Sequence, residues 1–412
     1  MREAVIVGAS LAGTRTAEAL RRAGYDGGIT MVGREPHPPY DRPPLTKAAL
    51  FHGPELASLT LPCSADLGVR WITGRSATGL DLSGRQVHLD TGERLRFDGL
   101  VVATGATARR LRPDGVGPVV HHIRTYEDAL RLHLALAKPD RTVLVVGAGL
   151  LGSEVASVAV ALGHRVTLVE TVPGPMLGVF GQEISGYCAR LHRSRGVDLR
   201  TSTTLVSLSP ETWRGEHAIA VLSDRSSGER AVMRADVVVA ALGTSAETAW
   251  LRDSGLDCDG GVRTDSSLKA LDKDGLAVDR VVAVGDVART PQPLVGDIER
   301  RVEHWTAAVG HGDIAASTLL GLEPAAPPPV PSFGTEQHGL KIRAVGMPGV
   351  GDTTTIVGGA PEDHRFVATR TLRGRLVGAV AVNNDAGLAP YRIELETRIV
   401  QTLHATPGGR TR

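Results

Sequence analysis

Cysteine is nearly missing from this chain of 412 residues: Cys63, Cys188 and Cys258 are its only three, and they lie far apart. They form no C-x-x-C, no C-x4-C and no metal spacing, so a redox dithiol and a thiolate metal site are excluded. Lysine is scarce too. Only five of the 46 basic residues are lysine, so the chain uses arginine almost wherever it carries positive charge. No apolar run approaches the roughly eighteen residues of a membrane span. A net charge of +1 gives no overall attraction for nucleic acid, and His121, His122 and His304 show no ligand spacing, so no metal is expected. The first residues, MREAVIVGAS, enter a strand at once and leave no room for a secretion signal. The expected location is the cytoplasm.

What the chain does have is glycine, 49 residues of it, placed at the ends of apolar runs. VIVGASLAGTRTAEALRRAG (5–24) followed by ITMV resembles VLVVGAGLLGSEVASVAVALG (143–163) followed by VTLVE. Each is a β-branched run, a glycine turn, an amphipathic stretch and a second β-branched run, the order of a βαβ unit. Two such units in one chain predict two nucleotides held face to face. LVVATGA (100–106), DVVVAALGT (236–244) and VVAVGDVA (281–288) read as buried strands leaving a sheet at a ligand-facing edge, and the last puts Asp286 directly after Gly285. EPAAPPPVP (323–331) reads as a stiff linker. Beyond it, RFVATRTLRGRLVGAVAVN (365–383) predicts a hairpin turning at Arg373 and Gly374, within a small α+β domain. The last dozen residues, ending PGGRTR, are expected to fray.

The second unit carries a full G-x-G-x-x-G at Gly147, Gly149 and Gly152. One glycine makes the tight turn, one lets the backbone touch a pyrophosphate, and one lets helix and strand pack closely. Glu170 ends the next strand, where a ribose would lie. Its carboxylate suits the ribose hydroxyls of NADH and repels a 2′-phosphate, and TVPGP after it offers no arginine to receive one. The first unit departs from the pattern, with Gly8, Ser10 and Gly13. Its ribose contact is expected from Arg34 or Glu35, just after ITMV.

GASLAG, PYDRPPLTK (39–47), VVATGA, GAGLLGSE, VGDVA and EHW (303–305) occur in an order and spacing that resemble the oxygenase-coupled NADH:ferredoxin reductases. The resemblance runs from about residue 3 to 400. It implies an α/β fold of two Rossmann-like, glutathione-reductase-like dinucleotide domains plus a small α+β carboxy-terminal domain. FAD would belong to residues 1–111 and 245–322, NADH to 112–244, and the last domain to 323–412. The activity implied is transfer of hydride from NADH to FAD, then of single electrons to a [2Fe–2S] ferredoxin serving a cytochrome P450 or a Rieske oxygenase. Cofactor contacts carried over by position include Ala12, Arg34, Lys47, Ala77, Thr104, Gly105, Arg124, Gly285, Asp286, His304 and Trp305 for FAD. Leu151 and Gly243 fall on the NADH side.

In PYDRPPLTK the prolines are expected to fix an extended path that delivers Lys47 to the flavin in place of a thiol. A cation at that edge stabilises the negative charge that hydride transfer brings. Glu154, two residues after Gly152, is expected to form an ion pair with it. Two departures from the family are notable. Gly334 stands where relatives have an aromatic residue, which predicts a more open flavin face, and Ala246–Glu247 replace a Pro-Asn pair. Arg42, Arg300 and Arg301 are candidates for a basic rim that steers an acidic ferredoxin. The same architecture also admits an NADH oxidase or peroxidase, whose flavin-side thiol could only be Cys63, beyond the lysine turn. It further admits an NADH-sensing interaction flavoprotein.

Overall fold

The runs EAVIV (Glu3–Val7) and TVLVV (Thr142–Val146) are each buried at four of five positions, which requires cover on both faces of a sheet. Both become strands of parallel sheets. The computed structural model describes residues 1–63, 67–111, 119–211, 216–296, 298–323 and 327–405.

In the first sheet Glu3–Val7 pairs in parallel with Gly28–Gly33 on one side and Gly99–Val102 on the other. Val69–Thr73 extends it on one side, and Ala277–Ala283 and Lys269–Leu271 on the other, so the sheet is completed by chain from far downstream. The second sheet centres on Thr142–Val146, flanked in parallel by Arg165–Val169 and Val237–Ala240, with Asp198–Arg200 and Val120–His121 at its edges. The third, five-stranded and antiparallel, runs from Ser332 to Val382. Its hairpin turns at Arg373 and Gly374, both at positive φ, as the turn of a tight hairpin requires.

Four helices position the site: α1 (Leu11–Arg22) and α2 (Leu150–Ala161) follow the two glycine turns, α3 (Gln182–Ser194) lies beside the second sheet, and α4 (Trp305–Leu320) packs on α1. The α1–α4 approach is close because Gly312 faces the backbone of Arg15, where a Cβ would come within 2.8 Å of its carbonyl carbon.

The carboxy-terminal sheet is tied to α3 by side chains. Tyr187 meets His364 at 2.7 Å and His192 meets His338 at 2.9 Å, while Glu183 binds Thr354 and Arg370. The proline linker is not a free spacer in its described part, because Pro329 fills the space beside Gly310 of α4, 2.3 Å from where a Cβ would sit. Residues 324–326 of that linker lie outside the described residues. Of the last dozen residues, expected to fray, those up to Ala405 are helical, and 406–412 lie outside the described residues. Among the described residues no helix is long and apolar enough to cross a membrane.

Candidate active site

The two glycine cradles are built alike. Gly8 has φ +124° and a Cβ there would strike the Ala103 carbonyl oxygen at 2.0 Å; Gly147 has φ +102° and would strike that of Ala241 at 2.3 Å. The third glycines press on the first: a Cβ on Gly13 or Gly152 would lie 2.0 or 1.9 Å from the carbonyl oxygen of Gly8 or Gly147. Gly149, by contrast, faces open space, which leaves its backbone approachable. Ser10 occupies the equivalent place as the N-cap of α1, and its side chain makes no capping bond.

A cavity of about 520 Å³ opens over the first cradle, and its walls include Gly8, Ser10, Arg34, Glu35, Ala77, Thr104 and Arg124. The size and the bare glycine backbone fit the adenosine and pyrophosphate of FAD. Arg34 and Glu35, the two ribose candidates, both already have protein partners. Arg34 pairs with Glu247 at 2.8 Å; Glu35 pairs with Arg42 at 2.6 Å and accepts the Tyr40 hydroxyl. Arg124 pairs with Asp286 at 2.6 Å, and Ala12 abuts Gly285, where a Cβ would meet it at 2.8 Å. Gly105 and Gly243 turn at φ +69° and +80°.

The expected pair between the two halves is present. Lys47 Nζ lies 2.9 Å from Glu154 Oε1, and Glu154 is only 2% exposed, just past the first turn of α2. The other Glu154 oxygen accepts the Thr46 hydroxyl, a partner that the sequence did not suggest. The approach to Lys47 differs from the extended path expected. Pro43–Thr46 forms a 3-10 turn, because φ near −65° suits the start of a helical turn as well as an extended chain. Lys47 Nζ also donates to the Pro43 carbonyl at 3.1 Å.

Trp305 and His304 stand at the amino terminus of α4. The half-exposed Trp305 donates its indole N–H to Asp41 at 3.0 Å, joining α4 to the lysine turn. Burial pushes His304 down to about 4, and its Nδ1 is buried without a partner. An orphaned acceptor or donor at the end of a helix is the kind of group a bound ligand satisfies.

On the second cradle, Glu170 accepts the N–H of Ala148 and of Thr171, each at 2.8 Å, so its carboxylate is fixed beside the glycine turn. Leu151 is exposed on the first turn of α2. The local absence of arginine turns out to be a weak argument for NADH, because the fold brings Arg225 to the Thr171 carbonyl at 3.3 Å. The expectation of NADH from this segment therefore rests on Glu170 itself, whose carboxylate would repel a 2′-phosphate.

Three other expectations need correction. Gly334 does not open a gap, since the Arg343 side chain fills the place beside it, 2.4 Å from where a Cβ would sit. Arg42 is not a rim residue; it points inward to Glu35 and to the Arg124 carbonyl at 2.6 Å. Arg301 also points inward, to the Asp286 carbonyl at 3.0 Å and to Glu303, which leaves Arg300 exposed.

Residues 2–312 match the family described as pyridine nucleotide-disulphide oxidoreductase, and 332–406 match the reductase C-terminal family. The chain belongs to the pyridine nucleotide-disulphide oxidoreductases. This oxidoreductase is 32% identical to the 3-phenylpropionate/cinnamic acid dioxygenase ferredoxin–NAD(+) reductase component of Photorhabdus laumondii, over 94% of each chain. It is 33% identical to rhodocoxin reductase of Rhodococcus erythropolis, over 97% of its own length and 90% of the relative's. Its fold matches the structure of the covalent putidaredoxin reductase–putidaredoxin complex with TM-score 0.87, 26% identity and 99% coverage of both chains. Despite the disulphide in the family's description, all three cysteines of this oxidoreductase are free. Burial pushes the Cys188 thiol up to about 12 and that of Cys258 to about 11, so neither is a ready thiolate at neutral pH. Among the described residues no group of His, Cys, Asp or Glu could hold a metal ion.

Proposed function

We propose that this chain is an FAD-dependent NADH:ferredoxin reductase feeding a [2Fe–2S] ferredoxin that serves a cytochrome P450 or a Rieske oxygenase. FAD, when bound, supplies the conversion of a two-electron hydride donor into a one-electron source. The protein supplies position and charge. The bare turn at Gly8–Gly13 and the Asp286–Arg124 pair hold the dinucleotide, while Gly147–Gly152 and Glu170 hold NADH. Lys47 keeps a positive charge where negative charge develops, and Glu154 and the Pro43 carbonyl orient it. Fixed charges of this kind cost no reorganisation at the moment of reaction.

The single observation that carries the reading is the Lys47–Glu154 pair at 2.9 Å, which joins the two nucleotide halves at the place a redox thiol would take. Relatives that serve dioxygenases and a rhodocoxin support the class of acceptor. The three largest sheets support a division into residues 1–111 with 245–322, 112–244 and 323–412. Use of NADH and the free thiols support a cytoplasmic location.

The test is anaerobic titration of the purified protein with NADH, followed by addition of a [2Fe–2S] ferredoxin. Flavin absorbance should bleach with one equivalent of NADH and return as the ferredoxin is reduced. Protein that cannot be loaded with FAD, or a bleached flavin that ferredoxin leaves unchanged, sinks the proposal.

A further inference from the structure

One buried histidine touches the flavin-side turn and is used by nothing described so far. His311 lies on α4, and its Nδ1 accepts the backbone N–H of Gly285 at 3.1 Å. Gly285 cannot easily move away, since it turns at φ +69° with Ala12 pressed against it. The next residue, Asp286, is held by Arg124 through its side chain and by Arg301 through its carbonyl. His311 in turn is seated by its neighbour Gly312, which packs against α1. Burial pushes its imidazole down to about 4, with Asp286 acting weakly the other way, so the ring is neutral at pH 7. A neutral ring that accepts at Nδ1 carries its proton on Nε2. His311 also borders a cavity of about 50 Å³ shared with Gln292, Val302, Pro329 and Ile399, room for a water to accept a hydrogen bond from Nε2–H.

We infer that His311 is a positioning residue for the flavin: by accepting the Gly285 N–H in one fixed tautomer, it sets the place of the Gly285–Asp286 turn. The inference rests on the proposed FAD site. Without the acceptor, a buried N–H loses its partner and the turn relaxes to find another, carrying the Asp286 carboxylate with it. An aspartate displaced by even a fraction of an ångström still pairs with Arg124, so the fold survives while the ligand contact does not.

The experiment compares His311→Leu, which removes the acceptor, with His311→Asn, whose Oδ1 can occupy the place of Nδ1. Holoprotein is diluted and FAD release is followed by flavin fluorescence, and the melting temperature of apoprotein is measured beside it. His311→Leu should release FAD roughly tenfold faster or more, the scale of one buried hydrogen bond left unmade. His311→Asn should stay within about threefold of wild type, and the apoprotein melting temperature of His311→Leu should fall by only a few degrees, leaving it folded in the assay. Unchanged release from His311→Leu, or release from His311→Asn as fast as from the leucine variant, overturns the inference. Should the leucine variant fail to fold, the imidazole nitrogen NMR spectrum of wild-type holoprotein decides instead, and a protonated Nδ1 at position 311 overturns it. Wild-type protein that binds no FAD at all would instead refute the cofactor reading.

Discussion

The cradles at residues 8–13 and 147–152 differ at one open position and agree at two packing positions. At the first and third glycines an added Cβ would strike backbone oxygen at about the same distance in both, so those glycines are demanded by the strand–helix junction itself. At the middle position Gly149 faces open space and Ser10 takes its place in the other unit. A motif of three glycines therefore mixes two kinds of constraint. Two belong to the fold and tolerate nothing larger, while the middle one meets no protein atom and can be exchanged for a small polar residue. The surroundings differ as well. Arg34, Arg42 and Arg124 surround the first cavity, each matched by a carboxylate, whereas the second turn is steadied by Glu170 accepting backbone N–H groups.

The largest expected effect comes from the residue where the cradles meet. Lys47→Met should retain FAD but slow flavin reduction by NADH roughly 100-fold or more, because a preorganised charge is lost at the reacting edge. Stopped-flow absorbance under saturating NADH measures this, and an unchanged rate would remove Lys47 from its assigned role. Next comes Gly8→Ala, which should cost roughly 1–3 kcal/mol of stability through overpacking and left-handed strain, and yield protein that loses its flavin on gel filtration. Denaturant unfolding of apoprotein and the flavin-to-protein absorbance ratio read both; a yellow, fully stable variant would break the claim that the outer glycines belong to the fold.

The expected pH response is smaller and tests the halves against each other. Burial holds His304 and His311 at about 4 behind the first cradle, and His192 at about 3 and His338 at about 4 where α3 meets the last sheet. These rings are neutral in the folded protein, while an unfolded histidine titrates near 6.5. Between about pH 6.5 and 4 the unfolded chain therefore binds more protons, and stability should fall as pH is lowered through that window. Thermal melts across it should show a progressive decline, and His338→Asn should flatten the acid limb without touching FAD retention. The smallest effect is expected from Ser10→Gly, which restores the full glycine pattern: stability should change by less than about 0.5 kcal/mol, with FAD kept. Loss of FAD from this variant would show that the serine hydroxyl is itself a ligand contact.

Features that depend on neighbours in sequence are legible in the sequence itself. The two glycine turns, the hairpin at Arg373–Gly374 and the acid after Gly285 all follow from backbone geometry within a few residues. The Lys47–Glu154 pair was the one long-range contact anticipated, and it came through family resemblance. What escaped was partner choice across the fold. Arg42 looked like a free surface cation, yet the turn at Pro43 directs it back to Glu35. Gly334 looked like a gap, yet Arg343 on the adjacent strand fills it. Nothing near His311 in sequence marks it, because its partner Gly285 is brought to it only when α4 docks on α1. Charge and size can be counted along a chain, but which charge faces which space is decided by packing.

Pro329, lodged in the notch at Gly310, makes the chain leading to Ser332 act as a ruler. The last sheet cannot slide along α4 without lifting a rigid ring out of its seat, so its height above the helix is set by the two residues, Val330 and Pro331, between that seat and the first strand. A one-residue change in this interval, if passed on to the strand register, would turn Phe333, now stacked on Phe180 and tilted against His304, to the opposite side of its strand.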